Sequence, residues 1–273
     1  MAAAKRILLI TGGNTGLGLE AIKALCQSPK PYKIIMGCRT ISKGENAIAE
    51  LKKQYPQTAS SLSTLQVDLE SDKSLSQAVE EVTSKHGRLD VLINNGGASF
   101  DNEMAAGRMS MRDGFNASWN INVTGTHILT TLAVPLLLKS SDPRLIFIAS
   151  GTSTLTETES FATPTLARIN TPPAAGWPKQ IVGLNTTSYR SSKTGLNMLM
   201  REWRRTLLND GVKVWAVSPG FLATGLGGDG AEKLKKMGAL DPSIGGHFLK
   251  DVVEGKRDQD EGKVIRRDMI QPW

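Results

Sequence analysis

Tyr189 stands four residues ahead of Lys193 in the stretch TSYRSSKTGLNM (187–198). On a helix, residues i and i+4 share a face, so a phenol and an ammonium would look into the same cleft. Such a pair can deliver a proton. A tyrosine, with an ordinary pKa of about 10, can donate to a developing alkoxide, and a nearby ammonium should draw that pKa towards the working range. A second stretch with chemistry in it is TGGNTGLG (11–18). Gly12, Gly16 and Gly18 let the backbone turn sharply and bring its N–H groups close to a phosphate at a helix start. Neither pattern decides anything alone, because Tyr-x-x-x-Lys recurs by chance and glycines also make plain turns. The elements around them must decide.

Those elements alternate. KRILLIT (5–11), KIIMGC (33–38), STLQVD (63–68), LDVLINN (89–95), RLIFIAS (144–150) and VKVWAVS (212–218) read as short apolar strands, with GKVIRR (262–267) a weaker seventh. Amphipathic segments at 17–28, from Ser42 to about Tyr55, at 71–87, at roughly 111–139 and at about 187–209 read as helices. Ser71 is placed to cap the third of these and Gly87 to end it. Continuously apolar strands alternating with helices predict an α/β fold: one doubly wound parallel sheet, a Rossmann fold of about seven strands with helices on both faces, spanning 1–273 as a single domain. Two segments break the rhythm, 151–186 and 221–243. Both follow strand C-termini, where doubly wound sheets bind ligands, so both are expected to be substrate loops.

The glycine loop falls between the first strand and first helix, as a dinucleotide fingerprint requires. About 20 residues on, such units usually carry an acid for the ribose hydroxyls. Here the second strand ends Gly37-Cys38-Arg39, and Lys43 follows one helical turn later. A guanidinium fork suits a 2′-phosphate, so the expected cofactor is NADP(H).

With the loop and the Tyr–Lys pair together, the chain resembles the short-chain dehydrogenase/reductase family over nearly its whole length. Gly12, Asn14, Thr15, Gly16, Leu17 and Gly18 fall in the family's TGxxxGxG cofactor loop. Asp68 and Leu69 resemble its adenine contact, and Asn94-Asn95-Gly96-Gly97 its NNAG element, with Gly97 where alanine is usual. Pro219, Gly220, Leu222 and Thr224 fall in the PGxxxT segment that holds the nicotinamide. The catalytic tetrad would be Asn122, Ser150, Tyr189 and Lys193, with Ser153 close enough to Ser150 to compete for its role.

The resemblance implies an NADPH-dependent carbonyl reductase acting on a ketone or aldehyde of a small, mostly apolar molecule. Tyr189 would donate the proton, Ser150 would hold the carbonyl, Lys193 would reach the nicotinamide ribose, and Asn122 would hold a water that resupplies Lys193. An NADP-linked alcohol dehydrogenase of the retinol or steroid type, working oxidatively, would use the same residues. A non-catalytic NADP(H)-binding relative would be expected to have lost part of the tetrad. The approach from Ser150 to Tyr189 is long for the family, and Phe161 and Trp177 within it, with Leu222, Leu226 and Leu240 later, are expected to wall the pocket. An insertion there can also cover the helix surface used for oligomerisation, which leaves monomer, homo-dimer and homo-tetramer open.

Bulk properties narrow the alternatives. Lys and Arg number 33 against 26 Asp and Glu, a net charge of +7, but the cations are dispersed and aromatics make up only 5%. That argues against nucleic acid, which wants a basic stripe with stacking residues. Cys26 and Cys38 are too few for a disulfide framework and lack metal-ligand spacing, so both read as core fillers and no metal is expected. His86, His127 and His247 stand alone and read as structural or solvated. The start, MAAAKRILLITGG, has no signal-peptide pattern, and no 18-residue apolar span follows, so the expectation is a cytoplasmic protein with no membrane partner.

Overall fold

Strand β1 (Arg6–Thr11) turns through the glycine loop into α1 (Gly16–Cys26), and the pattern repeats through β2 (Tyr32–Cys38), α2 (Ile41–Gln54), β3 (Ser61–Gln66) and α3 (Asp72–His86). After β4 (Val91–Asn94) come a short α4 (Asp101–Ala105), α5 (Met111–Trp119) and α6 (Thr126–Leu137). Then follow β5 (Arg144–Ile148), α7 (Pro164–Asn170), α8 (Thr187–Thr206), β6 (Lys213–Val217), α9 (Ala231–Lys236), α10 (Pro242–Val253) and β7 (Val264–Ile265). The structure, a computed structural model, describes residues 5–179 and 186–273; the last part of the 151–186 loop lies outside them.

The seven strands form one parallel sheet in the order β3-β2-β1-β4-β5-β6-β7. Alternate residues of each strand feed opposite faces. Ile7 and Leu9 join Leu75, Leu129, Leu196 and Met200 of α3, α6 and α8 on one side. Leu8 and Ile10 join Ile22, Leu25, Ile48 and Leu249 of α1, α2 and α10 on the other. Both faces of the sheet are dry, which is why its strands read as unbroken apolar runs. The parallel arrangement has a functional consequence: the loops after all seven strands emerge along one edge.

Several boundaries behave as the residues predict. Ser71 accepts from the Ser74 amide at 3.2 Å, and Gly87 closes α3 in the left-handed region at φ 71°. Cys26 and Cys38 are buried and free. Other expectations need correcting. The single helix expected over 111–139 is interrupted by a π-helical turn, Asn120–Gly125, in which the Thr126 hydroxyl donates to the Ile121 carbonyl. Gly125 explains the fit, since a Cβ there would overlap the Leu69 carbonyl. Helix α8 ends at Thr206, with a separate 3-10 turn at Leu208–Asp210. The seventh strand shrinks to Val264–Ile265, because the chain turns back and the Gln271 amide donates to the Val264 carbonyl. Helix α10, which carries His247, was not expected. Within its Gly245-Gly246 pair, a Cβ at Gly246 would come within 2.5 Å of the α1 backbone at Glu20. The glycines are there to let two helices touch.

At the opposite edge of the sheet, Arg144, itself 3% exposed, pairs with Asp142 and Asp258, and Lys213 bridges the same two carboxylates. The Arg144 hydrogen bond and then that of Lys213 pull the Asp258 carboxyl down to about 2, against the opposing effect of burial. Lys213, Arg144 and Arg6 likewise hold Asp142 below its usual range although burial pushes it up. A depressed carboxyl stabilises the fold above its unfolded pKa, and that stability is lost as pH falls through the folded value. Thermal melts should therefore show stability falling between about pH 4 and 2. In Asp258→Asn that pH dependence should flatten, and an unchanged slope would show that the network does not control acid stability.

Candidate active site

The ends of β1, β4, β5 and β6 bring the candidate residues together. Gly12 and Gly16 have φ of 63° and 52°, a region that favours glycine. A Cβ at Gly18 would run into the Gly12 carbonyl and lie 2.7 Å from Asn95 Nδ2. Asn95 fastens the loop from the next strand: its Nδ2 donates to Thr11 O at 2.7 Å, and the amides of Asn95 and Gly96 donate to Thr11 Oγ1 at 3.0 and 2.7 Å. Thr15 makes no side-chain cap on α1, and the first turn carries no acid. Such a helix start presents its first amides and positive dipole end to an anion. Thr224 arrives from the loop after β6 and packs on Gly16, where a Cβ would sit 3.4 Å from it.

The neighbouring strand ends complete this half. Arg39 follows β2, with its side chain largely exposed and 3.7 Å from Glu70. Asn14, Thr15 and Lys43 line one recess of about 390 Å³ between α1 and α2. Asp68 accepts from the Glu70 amide in a local turn at the end of β3. Leu69 reaches Gly96, where a Cβ would meet it at 2.9 Å. Gly220 adopts φ 105° after Pro219. Leu222 departs from expectation. Its side chain is buried with Leu17 and Pro219 around Gly245 of α10, so it is a core group and not a pocket wall. These residues fit a dinucleotide phosphate: the cradle has no room for side chains at the places where a Cβ would fill it.

The four chemistry-bearing residues lie next to this cradle. Asn122 is buried in the π-helical turn. Its Oδ1 accepts from the Ala98 amide and its Nδ2 donates to Ala98 O and Ser192 Oγ, all at 2.9 Å. π-helical turns of this kind recur at functional sites. Lys193, 4% exposed, donates to Ile148 O at 2.7 Å at the end of β5. Asn122 and Lys193 approach each other across Gly97, where a Cβ would lie 2.9 Å from Asn122 Oδ1 and 3.3 Å from Lys193 Nζ. The Ser150 hydroxyl neighbours the Tyr189 phenol, where it favours the phenolate, and its Oγ meets Thr152 Oγ1 at 2.9 Å. Ser153 is engaged elsewhere. It is 1% exposed, donates to Ser150 O at 2.7 Å and accepts from Asn197 at 3.0 Å.

The electrostatics differ from the sequence expectation. Burial pushes the Tyr189 phenol up to about 12, opposed by the Ser150 hydrogen bond, and burial alone pulls Lys193 down to about 8. Desolvation penalises phenolate and ammonium alike, and the Lys193 ammonium lies 5.8 Å from the Tyr189 ring centroid while directed at a carbonyl. The pair therefore holds tyrosine in its proton-bearing form and does not draw it towards neutrality.

The two loops are pinned to each other and to α8. Helix α7 carries Arg168, which donates to Met237 O at 2.9 Å and lies over the Phe221 ring, so the insertion meets the 221–243 loop. Arg190 ties the insertion back to α8 through Thr152 O at 3.1 Å. The expected apolar walls are exposed: Phe161 is 54% and Trp177 87% accessible, and Leu226 and Leu240 also face out. Met111, Phe115 and Trp119 of α5 remain exposed in the single chain.

Two groups went unrecognised in the sequence. Asp101 is buried and accepts from Ser188 N at 2.9 Å, Ser188 Oγ at 2.9 Å and Tyr189 N at 3.1 Å. Gln271 is buried in the returning C-terminal segment and donates to Ser150 O at 3.1 Å, beside the Arg266–Glu157 ion pair. Both act across long stretches of chain, and no local spacing announces them. Among the described residues no acid, histidine and cysteine cluster could hold a metal, and no helix is long and apolar enough to cross a membrane.

Comparison with known proteins agrees with this geometry. A sequence model described as short chain dehydrogenase matches residues 6–162 and 179–235. The short-chain dehydrogenase/reductase eupG of Phoma sp. is 48% identical, covering 100% of this chain and 99% of the relative. The short-chain dehydrogenase/reductase tropE of Talaromyces stipitatus is 46% identical, with 98% of each covered. Among solved structures, the NADPH-bound carbonyl reductase from chicken fatty liver superposes with a TM-score of 0.76 at 22% identity, covering 98% of this chain and 99% of that one.

Proposed function

The chain belongs to the short chain dehydrogenase family of oxidoreductases, and from that premise we propose that it is an NADPH-dependent reductase of ketone or aldehyde carbonyls on a small organic substrate. The observation that carries this reading is the placement of Ser150 beside a buried, proton-bearing Tyr189 phenol, with Lys193 buried one helical turn away and held by Ile148 O at 2.7 Å. Support for the cofactor comes from Arg39 and Lys43 in place of the usual acid, and from the chicken carbonyl reductase, whose structure holds NADPH.

NADPH would lie along the strand ends, with its phosphates on the 12–18 loop, its adenosine 2′-phosphate by Arg39 and Lys43, its adenine by Asp68 and Leu69, and its nicotinamide near Asn95, Gly96 and the 219–224 segment. Once bound it would supply the hydride. The protein's own work is to hold the substrate and move a proton. Ser150 hydrogen-bonds the carbonyl oxygen, which fixes its distance from Tyr189 and offsets negative charge as it develops there. Tyr189 donates its hydroxyl proton to that oxygen. Lys193, in its charged form, stabilises the phenolate left behind. Asn122, whose Oδ1 keeps a lone pair after accepting from Ala98, would hold the water that resupplies Lys193. The described part of the insertion, 151–179, and the 221–243 loop would flank the substrate.

A panel of ketones, aldehydes and quinones, followed by NADPH absorbance, tests the reading. Consumption of NADPH with at least one carbonyl is expected. If no carbonyl is reduced while alcohols reduce NADP+, the enzyme works oxidatively and the reductive assignment fails. The sign of the pH dependence also follows. Reduction needs neutral Tyr189 and charged Lys193, so kcat/KM should fall as pH rises through about 8, where Lys193 loses its proton. A profile flat to pH 10 would remove Lys193 from the mechanism.

A further inference from the structure

Tyr189 is the third residue of α8, in the first turn, where the backbone amides have no partner within the helix and the ends fray. The residue ahead of the helix, Thr186, makes no side-chain cap, and the first turn carries no acid. Lys193, one turn further in, is held by the helical ladder, but the proton donor is not. The missing cap comes from a distant part of the chain. Asp101, the first residue of α4 and 2% exposed, accepts the amides of both Ser188 and Tyr189, and its second oxygen also takes the Ser188 hydroxyl. Ser118 of α5 donates in turn to Ser188 Oγ at 3.0 Å.

Asp101 does not fasten α4 to the fold alone. Met104 packs on Gly114 of α5, and Asn102 Nδ2 donates to Gly227 O at 2.8 Å and to Asp229 at 3.0 Å in the 221–243 loop. Apart from a 3.2 Å contact with Ser99 in its own loop, the hydrogen bonds of the Asp101 carboxylate all run to the turn that bears Tyr189.

We propose that Asp101 is a positioning residue for the reaction: it caps α8 from across the cleft, closing the first turn so that the Tyr189 hydroxyl is held against Ser150. The inference rests on the assignment of Tyr189 as proton donor. It also gives α4 a reason to exist, since adjacent residues of one short helix hold the proton donor's turn through Asp101 and the substrate loop through Asn102.

Asp101→Ala should lower kcat about 10- to 100-fold, the cost of a misplaced reacting group, with the NADPH Kd within about threefold of wild type. The solvent deuterium isotope effect on kcat should rise, because proton transfer from a loosened Tyr189 becomes rate-limiting. Asp101→Asn keeps one carbonyl oxygen for an amide and should recover much of the loss, and it serves as the test if the alanine variant fails to fold. A structural role alone would lower the melting temperature and the folded fraction, leaving the isotope effect where it was. The proposal is overturned if kcat stays within about twofold of wild type in both variants, or if it falls without any change in the isotope effect. Tyr189→Phe separates the two claims. If that variant keeps its turnover, the donor assignment fails; if it is inactive while Asp101→Ala turns over normally, only the role of Asp101 fails.

Discussion

Tyr189→Phe is expected to lower kcat by roughly 10² to 10⁴-fold, the range a positioned general acid contributes, while NADPH binding stays nearly intact. The separation of the two effects follows from where the hydroxyl sits. The phenol's polar partner is Ser150, not the glycine loop, so deleting one oxygen removes the proton and the Ser150 contact and leaves the cradle formed by Gly12, Gly16, Gly18 and Asn95 untouched. The backbone amide of residue 189 still donates to Asp101, so the helix start survives. The ring also survives, and with it the cation–π contact with Lys193. Steady-state kinetics with the best carbonyl of the panel, and NADPH titration by fluorescence, would measure the two quantities. Near-normal turnover would remove Tyr189 as donor, whereas a collapse of turnover together with NADPH affinity would mean the substitution had damaged the fold.

What could be read without coordinates was local. TGGNTGLG announced both the end of β1 and the start of α1 because glycine's freedom is needed at specific positions there. Ser71 and Gly87 announced the ends of α3 for similar reasons, and the apolar runs announced a sheet dry on both faces. Because every strand is parallel, the motifs that follow them had to meet at one edge, so the site was largely implied by the fold. What could not be read depends on distance in the chain. Gly245 and Gly246 have their reason in α1, which packs against them from more than 200 positions earlier. The π-helical turn has no sequence period, and Gly125 is required only because Leu69 lies over it. Asp101 looks like the cap of its own helix, yet it caps another one 87 positions later. Leu222 was expected to wall the cleft as well as to sit in the nicotinamide segment, but apolar character cannot say which of two packed surfaces a side chain will join.

Charge followed the same division. The ammonium of Lys193 was expected to lower the Tyr189 pKa because the two share a helix face. Sharing a face fixes the distance but not the solvent, and burial, the largest cause of the shift at Tyr189 and the sole one at Lys193, moves the two pKa values in opposite directions. The consequence is favourable for reduction, since a phenol near 12 arrives carrying the proton it must give.

Arg39→Asp should invert the cofactor preference, moving the ratio of kcat/KM for NADPH over NADH by on the order of 10² to 10³. Removing the guanidinium costs the charge-assisted hydrogen bonds to the 2′-phosphate, about 1.5–3 kcal/mol or roughly 10- to 150-fold. The new carboxylate then repels that phosphate and offers the ribose hydroxyls of NADH the acceptor that this chain lacks. Arg39 is placed to matter this much by the end of β2. The Gly13 amide donates to Gly37 O at 3.0 Å, which ties the strand end to the phosphate loop, and Gln66 donates to Arg39 O at 3.3 Å, which holds the backbone that carries the side chain. The 3.7 Å pair with Glu70 is an exposed ion pair and competes weakly for the guanidinium. Lys43 faces the same recess as Asn14 and Thr15 and keeps some attraction for the phosphate, so the loss of NADPH should be incomplete and Lys43→Ala should add to it. Because Arg39 is exposed, melting temperatures should barely move, and the change will read as specificity and not as lost protein. A wild-type enzyme that prefers NADH, or a preference for NADPH that survives Arg39→Asp, would show that these cations do not select the cofactor.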